Sequence, residues 1–135
     1  ALQSAILEPN MFKCAIGVVG VYDLPLMFEE GDVAGRDSGQ RYLQSVLGTD
    51  EAQLKAFSPS YNIDKLKAPV LIVHGGEDKR APIEQAESLI AALKKAKHPY
   101  IYELLEDEGH GFYKTEHRTR YYKQVLAFLD QHLTL

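Results

Sequence analysis

The sequence has almost no cysteine, no block of like charge and no long apolar run. Its single cysteine, Cys14, excludes an internal disulfide and a cysteine-rich zinc site. The formal net charge is −4 at pH 7, and the basic residues are interspersed with acidic ones, which argues against nucleic acid as a partner. No apolar run approaches the roughly 20 residues of a membrane-spanning helix, and the first residues lack a basic stretch and a signal-peptide cleavage site. We therefore expect a soluble chain with no membrane partner, whose compartment, cytoplasmic or periplasmic, stays open.

The chain does contain enough material for one globular domain. It has 135 residues, of which 45% are hydrophobic and 25% charged. These proportions are typical of a soluble domain with an apolar core. Since no internal repeat, low-complexity tract or linker interrupts it, residues 1–135 are predicted to form a single domain.

Three apolar runs predict β-strands. The runs CAIGVVGVY (14–22) and PVLIVHGG (69–76) are almost continuously apolar and rich in β-branched residues. Such runs suit strands that are covered on both faces of a parallel sheet. The run YIYELLED (100–107) is more mixed, so it is predicted to lie nearer an edge.

Two amphipathic patterns predict helices that flank this sheet. Residues 82–97 carry a proline and glutamates early and lysines late, which matches the preferences of a helix and its dipole. The C-terminal segment is predicted to be a helix that packs on the sheet through one apolar face. That predicted face consists of Tyr122, Val125, Leu126, Leu129 and Leu133.

The remaining segments complete an α/β fold. Residues 24–67 have little periodicity apart from two short helical stretches, RYLQSVLG and DEAQLKAF, and are predicted to pass over the sheet edge. Residues 1–12 have helical spacing but no N-cap, so they resemble the back half of a helix. The predicted fold class is α/β, with a mostly parallel sheet of about three or four strands flanked by helices.

Two predicted loops carry an acid and a base. Asp78 follows the second strand within VHGGEDKRAP, and His110 follows the third between two glycines in EDEGHGF. Because the carboxyl ends of parallel strands lie at the same edge of a sheet, we expect the two loops to be neighbours. A carboxylate that accepts the Nδ1 proton of an imidazole orients the ring and stabilises its protonated form. Asp78 and His110 are therefore the predicted catalytic residues.

Other polar residues near these loops have less specific interpretations. His74 ends the second strand and is predicted to be structural. A metal site made of His74, Asp78 and His110 is conceivable, but the spacing of a known metal motif is absent, so no metal and no cofactor are predicted. Tyr22 and Asp23 either line a pocket or are ordinary turn residues. For Arg80, a solvated charge is favoured over binding of a substrate carboxylate.

Between Ser58 and Leu133 the sequence has a strand followed by HGxxD, a proline shortly after it, the helical LxxAL stretch, and the GHGF turn before a final helix. By these features it resembles the catalytic domain of the prolyl oligopeptidase family of serine peptidases. The resemblance covers essentially Ala1 to Leu135, and the stretch from Ser58 to Leu133 is its specific part. The resemblance implies an α/β-hydrolase fold and a peptide substrate. It also implies that Asp78 is the acid and His110 the base of a triad with the chain order Ser, Asp, His.

The serine of such a triad is not found in this sequence. None of its serines lies in G-x-S-x-G: Ser4, Ser38, Ser45, Ser58, Ser60 and Ser88. The pair Ala1-Leu2 resembles residues that follow the nucleophile shortly in the family. We therefore expect residues 1–135 to be a partial catalytic domain, truncated just after its nucleophile elbow and inactive alone. Its open sheet edge at residues 14–22 predicts a homo-oligomer, formed through that edge or by segment exchange.

Two other functions remain open. A carboxylesterase or dienelactone-type hydrolase would use the same fold and the same residues. A non-catalytic α/β binding or scaffold domain would keep Asp78 and His110 only by chance, and it predicts that the two side chains lie apart.

Overall fold

The computed structural model describes residues 1–133. We number its helices and strands in chain order. They are α1 (Leu2–Leu7), β1 (Ala15–Val18), α2 (Asp37–Leu47), α3 (Glu51–Ala56), β2 (Val70–Gly75), α4 (Ile83–Lys95), β3 (Tyr100–Leu105) and α5 (Thr115–Leu133). Short 3-10 turns occur at Pro25–Phe28, Pro59–Tyr61 and Ile63–Lys65. Within the described residues, no helix is long and apolar enough to cross a membrane.

The strands form one parallel sheet in the order β1-β2-β3. Val70 in the central strand pairs with Ala15 on one side and Tyr100 on the other. Every residue of β2 is buried, as its unbroken apolar run predicts. The prediction of a strand over 14–22 was too long, because Val19 adopts a positive φ of 43° and the chain leaves the sheet there.

Helices cover both faces of the sheet. On one face, α1 and α4 pack on alternate residues of β2, including Val70 and Ile72. On the other face, Phe128 of α5 packs on Leu71 and Val73. This alternation follows from the two-residue period of a strand and confirms the predicted α/β architecture.

The face that α5 presents to the sheet differs from the prediction. Val125 and Leu129 are partly buried as expected, but Tyr122, Leu126 and Leu133 are exposed. The buried residue of the helix is Phe128, and Tyr121 packs beside it. Residues 121, 125 and 128 are offset by about one position from residues 122, 126 and 129, so the apolar spacing alone did not distinguish the two adjoining faces.

The segment between β1 and β2 contains the two predicted helices, α2 and α3, and a buried serine that ties it together. The Ser58 hydroxyl donates to the Leu54 carbonyl oxygen at 2.7 Å and accepts from the Leu24 amide at 2.8 Å. One side chain thus joins the end of α3 to the chain that leaves β1.

Candidate active site

Close approach of two loops brings the predicted site residues together. A Cβ atom on Gly75 would lie 2.3 Å from the Gly109 carbonyl oxygen, and one on Gly76 would lie 2.3 Å from that of Glu106. Only glycine avoids these clashes at both positions. Because β2 and β3 are parallel and in register up to the pair Gly75 and Leu105, both loops leave the sheet at the same level.

Asp78 is a buried carboxylate whose hydrogen bonds fix its orientation. Its Oδ1 atom accepts from the backbone amides of Arg80 and Ala81, both at 2.9 Å. Its Oδ2 atom lies 2.9 Å from Nδ1 of His110. Three donors therefore hold this one side chain in place.

His110 is oriented by that contact, yet it remains accessible. An ionised carboxylate only accepts hydrogen bonds, so the contact with Asp78 requires a proton on Nδ1 and leaves the lone pair on Nε2. The side chain of His110 is 48% exposed. The pair can therefore hold an imidazole in one tautomer and accept a proton at Nε2. The two predicted site residues do lie together.

His74 lies beside this pair but faces the protein interior. It is fully buried, and its Nε2 atom is 2.8 Å from the Ala81 carbonyl oxygen, which makes Nε2 the donor. The same atom is 3.9 Å from Oδ2 of Asp78. The hydrogen bond from His74 to the Ala81 carbonyl oxygen holds the loop that carries Asp78, in agreement with the structural role predicted for His74. Within residues 1–133, no group of three or more His, Cys, Asp or Glu residues is arranged to hold a metal ion.

Glu108 is a buried acidic residue of the site that the sequence did not single out. Its carboxylate accepts hydrogen bonds from the amides of Tyr113 and Lys114, at 3.1 and 2.9 Å, and from Nδ1 of His117 at 2.9 Å. The Tyr113 amide is the main cause that lowers the pKa of the Glu108 carboxyl, and Lys114 and His117 act in the same direction. Glu106 and Asp107, its neighbours in the stretch EDEGHGF, are exposed. The sequence carried no signal of which acid turns inward.

Tyr22 and Asp23 play different parts. Tyr22 is buried and lines a cavity of about 430 Å³ beside β1 and the start of α1. Burial raises the pKa of its phenol. Asp23 does not line that cavity; it is buried, and its Oδ2 atom accepts from the Ser88 hydroxyl at 2.7 Å. Neither Asp78 nor His110 lines that cavity.

Arg80 forms an exposed ion pair with the segment that follows β1. Its Nε atom donates to Oδ2 of Asp32 at 3.0 Å, and the Asp32 amide donates to the Lys79 carbonyl oxygen at 2.8 Å. Exposed pairs of this kind contribute about 0–1 kcal/mol. The geometry supports the interpretation of Arg80 as a solvated charge.

Several curated relatives match almost the whole chain, among them a dipeptidyl aminopeptidase and an inactive dipeptidyl peptidase. Dipeptidyl aminopeptidase BIII of Pseudoxanthomonas mexicana is 28% identical, over 96% of this chain and 19% of that protein. Inactive dipeptidyl peptidase 10 of Rattus norvegicus is 29% identical, over 96% of this chain and 16% of that protein. The chain therefore spans less than a fifth of the length of these two relatives.

A solved structure and a family model agree with these matches. The structure of a Mycobacterium tuberculosis puromycin-hydrolyzing peptidase superposes with a TM-score of 0.86 and 32% identity, over 98% of this chain and 20% of that one. The model of the prolyl oligopeptidase family matches residues 1–135. The resemblance expected from the HGxxD and GHGF motifs is thereby confirmed, and the chain belongs to the prolyl oligopeptidase family.

Proposed function

We propose that the complete protein is a serine-type peptidase that cleaves short peptides through an acyl-enzyme. His110 is its general base, and Asp78 orients His110. The observation that carries this proposal is the 2.9 Å contact between His110 Nδ1 and the buried Asp78 carboxylate, on an imidazole that is 48% exposed. The names of the relatives, which include a dipeptidyl aminopeptidase, support a peptide as the substrate.

The proposed chemistry places each proton on a stated atom. As the nucleophile hydroxyl attacks the peptide carbonyl, its proton moves to Nε2 of His110, and Asp78 stabilises the resulting imidazolium. The tetrahedral intermediate collapses, the C–N bond breaks, and Nε2 returns the proton to the leaving amine. Water then attacks the acyl-enzyme carbonyl and gives a proton to Nε2, the C–O bond to the nucleophile oxygen breaks, and Nε2 returns the proton to that oxygen as the carboxylic acid product leaves. No serine of this chain lies in a nucleophile elbow, so the hydroxyl belongs to a part of the protein outside residues 1–135, and this chain alone is inactive.

The proposal is tested by Asp78→Asn and His110→Ala in the complete protein. The asparagine amide would present N–H groups to Nδ1 and favour the wrong tautomer, so we expect kcat to fall by about 10⁴-fold, as removal of the orienting carboxylate does in a triad. Asp64→Asn is the control, because Asp64 is exposed. Hydrolysis of dipeptidyl amides is the assay. An Asp78→Asn variant within about tenfold of the wild type would refute the assignment.

An esterase of the same fold would use the same two residues, so only its substrates distinguish it from a peptidase. A panel of peptide amides and simple p-nitrophenyl esters, compared by kcat/KM on the complete protein, decides between them. Hydrolysis of the esters without measurable hydrolysis of any peptide amide would exclude the peptidase.

A non-catalytic function is favoured by one observation, the similarity to a relative that is named inactive. The contact between His110 and Asp78 counts against it, because a chance pair would not bring a half-exposed imidazole onto a buried carboxylate. Absence of hydrolysis with every amide and ester tested would favour the non-catalytic function.

We also propose that copies of this chain associate through β1. Among the described residues, β1 pairs only with β2, so its other edge has free backbone groups. Light scattering of the isolated chain at high concentration tests this, and a monodisperse monomer would contradict it.

A further inference from the structure

The turn that carries His110 has little conformational preference of its own. Gly109 and Gly111 flank the histidine and form an isolated bridge with each other. Gly111 has a φ of 152°, in the region that favours glycine. Since glycines leave many backbone conformations accessible, the turn needs contacts from outside to keep the imidazole against Asp78.

Glu108 supplies such contacts from the residue before the turn. Its side chain is buried, with 4% of the residue exposed, and all three of its donors lie after the turn. Oε2 accepts from the Tyr113 amide at 3.1 Å, and Oε1 accepts from the Lys114 amide and His117 Nδ1, both at 2.9 Å. One carboxylate thus closes residues 108–117 into a loop around His110 and joins it to the first turn of α5.

The backbone of the same residue joins this loop to the one that carries Asp78. The Glu108 carbonyl oxygen accepts from the Glu77 amide at 2.9 Å. Glu77 immediately precedes Asp78. Glu108 thus binds one loop through its side chain and the other through its backbone, so the relative position of Asp78 and His110 depends on it.

We propose that Glu108 is a positioning residue for His110, a role that rests on the proposed function. Its carboxylate bonds neither His110 nor Asp78, so it acts through the turn and not on the reacting atoms. The ionised form of Glu108 is needed because each of its two carboxylate oxygens accepts hydrogen bonds. A glutamine would replace one acceptor by an NH2 group that faces a backbone donor. His117 completes the arrangement as the side-chain donor.

Glu108→Gln in the complete protein tests this role, with Glu106→Gln as the matched control. Both substitutions remove one negative charge, but Glu106 is exposed. We expect Glu108→Gln to lower kcat by roughly 10- to 100-fold and to leave KM within about twofold, because a misplaced base impairs the reaction more than substrate binding. We also expect the downfield proton resonance of His110 Nδ1–H, assigned by its loss in His110→Ala, to shift or broaden. Glu106→Gln should change neither kcat nor the His110 resonance.

A second pair of variants keeps the proposal testable if Glu108→Gln does not fold. His117→Ala removes one donor to Glu108 and should lower kcat by about 3- to 10-fold. His117→Asn places a side-chain N–H near the position of Nδ1 and should restore most of that loss.

The outcomes separate this proposal from the proposed function. A Glu108→Gln protein with the kcat and the His110 resonance of Glu106→Gln would overturn the positioning role. Equal loss in the His117 alanine and asparagine variants would also overturn it. If His110→Ala keeps full activity, the peptidase mechanism fails, while the resonance in Glu108→Gln still decides whether Glu108 positions the ring.

Discussion

A buried glutamine on α4 holds the turn that follows β1, and its replacement should loosen that turn. Gln85 is 0% exposed. Its Oε1 atom accepts from the amides of Tyr22 and Asp23, both at 2.8 Å, and its Nε2 atom donates to the Asp23 carbonyl oxygen at 2.9 Å. Gln85→Met is the sharpest change, because methionine has a similar length and a similar helix propensity but cannot replace these bonds.

The magnitude follows from the groups that lose their partner. Gln85→Met leaves two amides and one carbonyl oxygen unbonded at Tyr22 and Asp23, which are both buried. Each buried unsatisfied group costs about 1–3 kcal/mol. Relaxation of the turn and burial of the thioether side chain offset part of this cost. We expect the turn to lose about 2–4 kcal/mol of local stability, which corresponds to roughly 10²-fold in its opening equilibrium.

Native-state hydrogen exchange of the complete protein measures this opening directly. The amides of Tyr22 and Asp23 should exchange roughly 10²-fold faster in Gln85→Met, provided that exchange reports the opening equilibrium. Gln44→Met on α2 is the control, because Gln44 is exposed, and it should leave both amides unchanged. Equal protection of these amides in the two variants would refute the reasoning.

Three further predictions follow from the loops and the segment over the sheet edge. Gly76→Ala would place a Cβ atom 2.3 Å from the Glu106 carbonyl oxygen in the opposing loop, so we expect peptide hydrolysis by the complete protein to fall at least about tenfold. Gly35→Ala is the control and should keep full activity, because no atom lies within 4 Å of a Cβ at that position. Ser58→Ala removes both bonds of a buried hydroxyl and should destabilise the protein by about 1–3 kcal/mol, seen as a lower Tm than that of the exposed Ser45→Ala. Hydrogen bonds lower the pKa of Glu108 in the native state, so its contribution to stability is complete above the unfolded pKa and is lost as the pH falls through the native pKa. Between about pH 7 and about pH 3, the urea midpoint of Glu108→Gln should therefore fall less steeply than that of the wild type. An equally steep fall in both proteins would contradict this.

Elements whose cause is local could be predicted from the sequence. The central strand was predictable because an unbroken run such as VLIV can be satisfied only between two covered faces. The helix over 83–95 was predictable because its proline, its acids, its apolar stripe and its lysines all favour the same structure. The approach of the loops that carry Asp78 and His110 was predictable because they follow two neighbouring parallel strands that end at the same level.

Features that depend on distant partners could not be predicted. The face of α5 was misplaced by about one position because the choice is made by Phe128 packing on β2, over 50 residues away in the chain. Gln85 hydrogen-bonds the backbone of Tyr22 and Asp23, which precede it by 63 and 62 positions in the chain. A polar residue on a helix gives no sign of such a distant partner. Glu108 was one of three acids in a row, and only the return of the chain into α5 shows that it turns inward.

The histidines of the described chain show why contact with a carboxylate does not by itself mark a base. His74 and His98 each place Nε2 on a backbone carbonyl oxygen, at 2.8 Å, and so serve packing. His117 bonds a carboxylate, but its side chain is 17% exposed, and its other nitrogen lies 3.7 Å from a second acid, so both nitrogens face protein groups. His110 combines one nitrogen on a buried carboxylate with a half-exposed ring, which leaves the other nitrogen for a reacting group. It is this combination that makes His110 the candidate base, and it depends on a glycine turn that a neighbouring glutamate keeps closed.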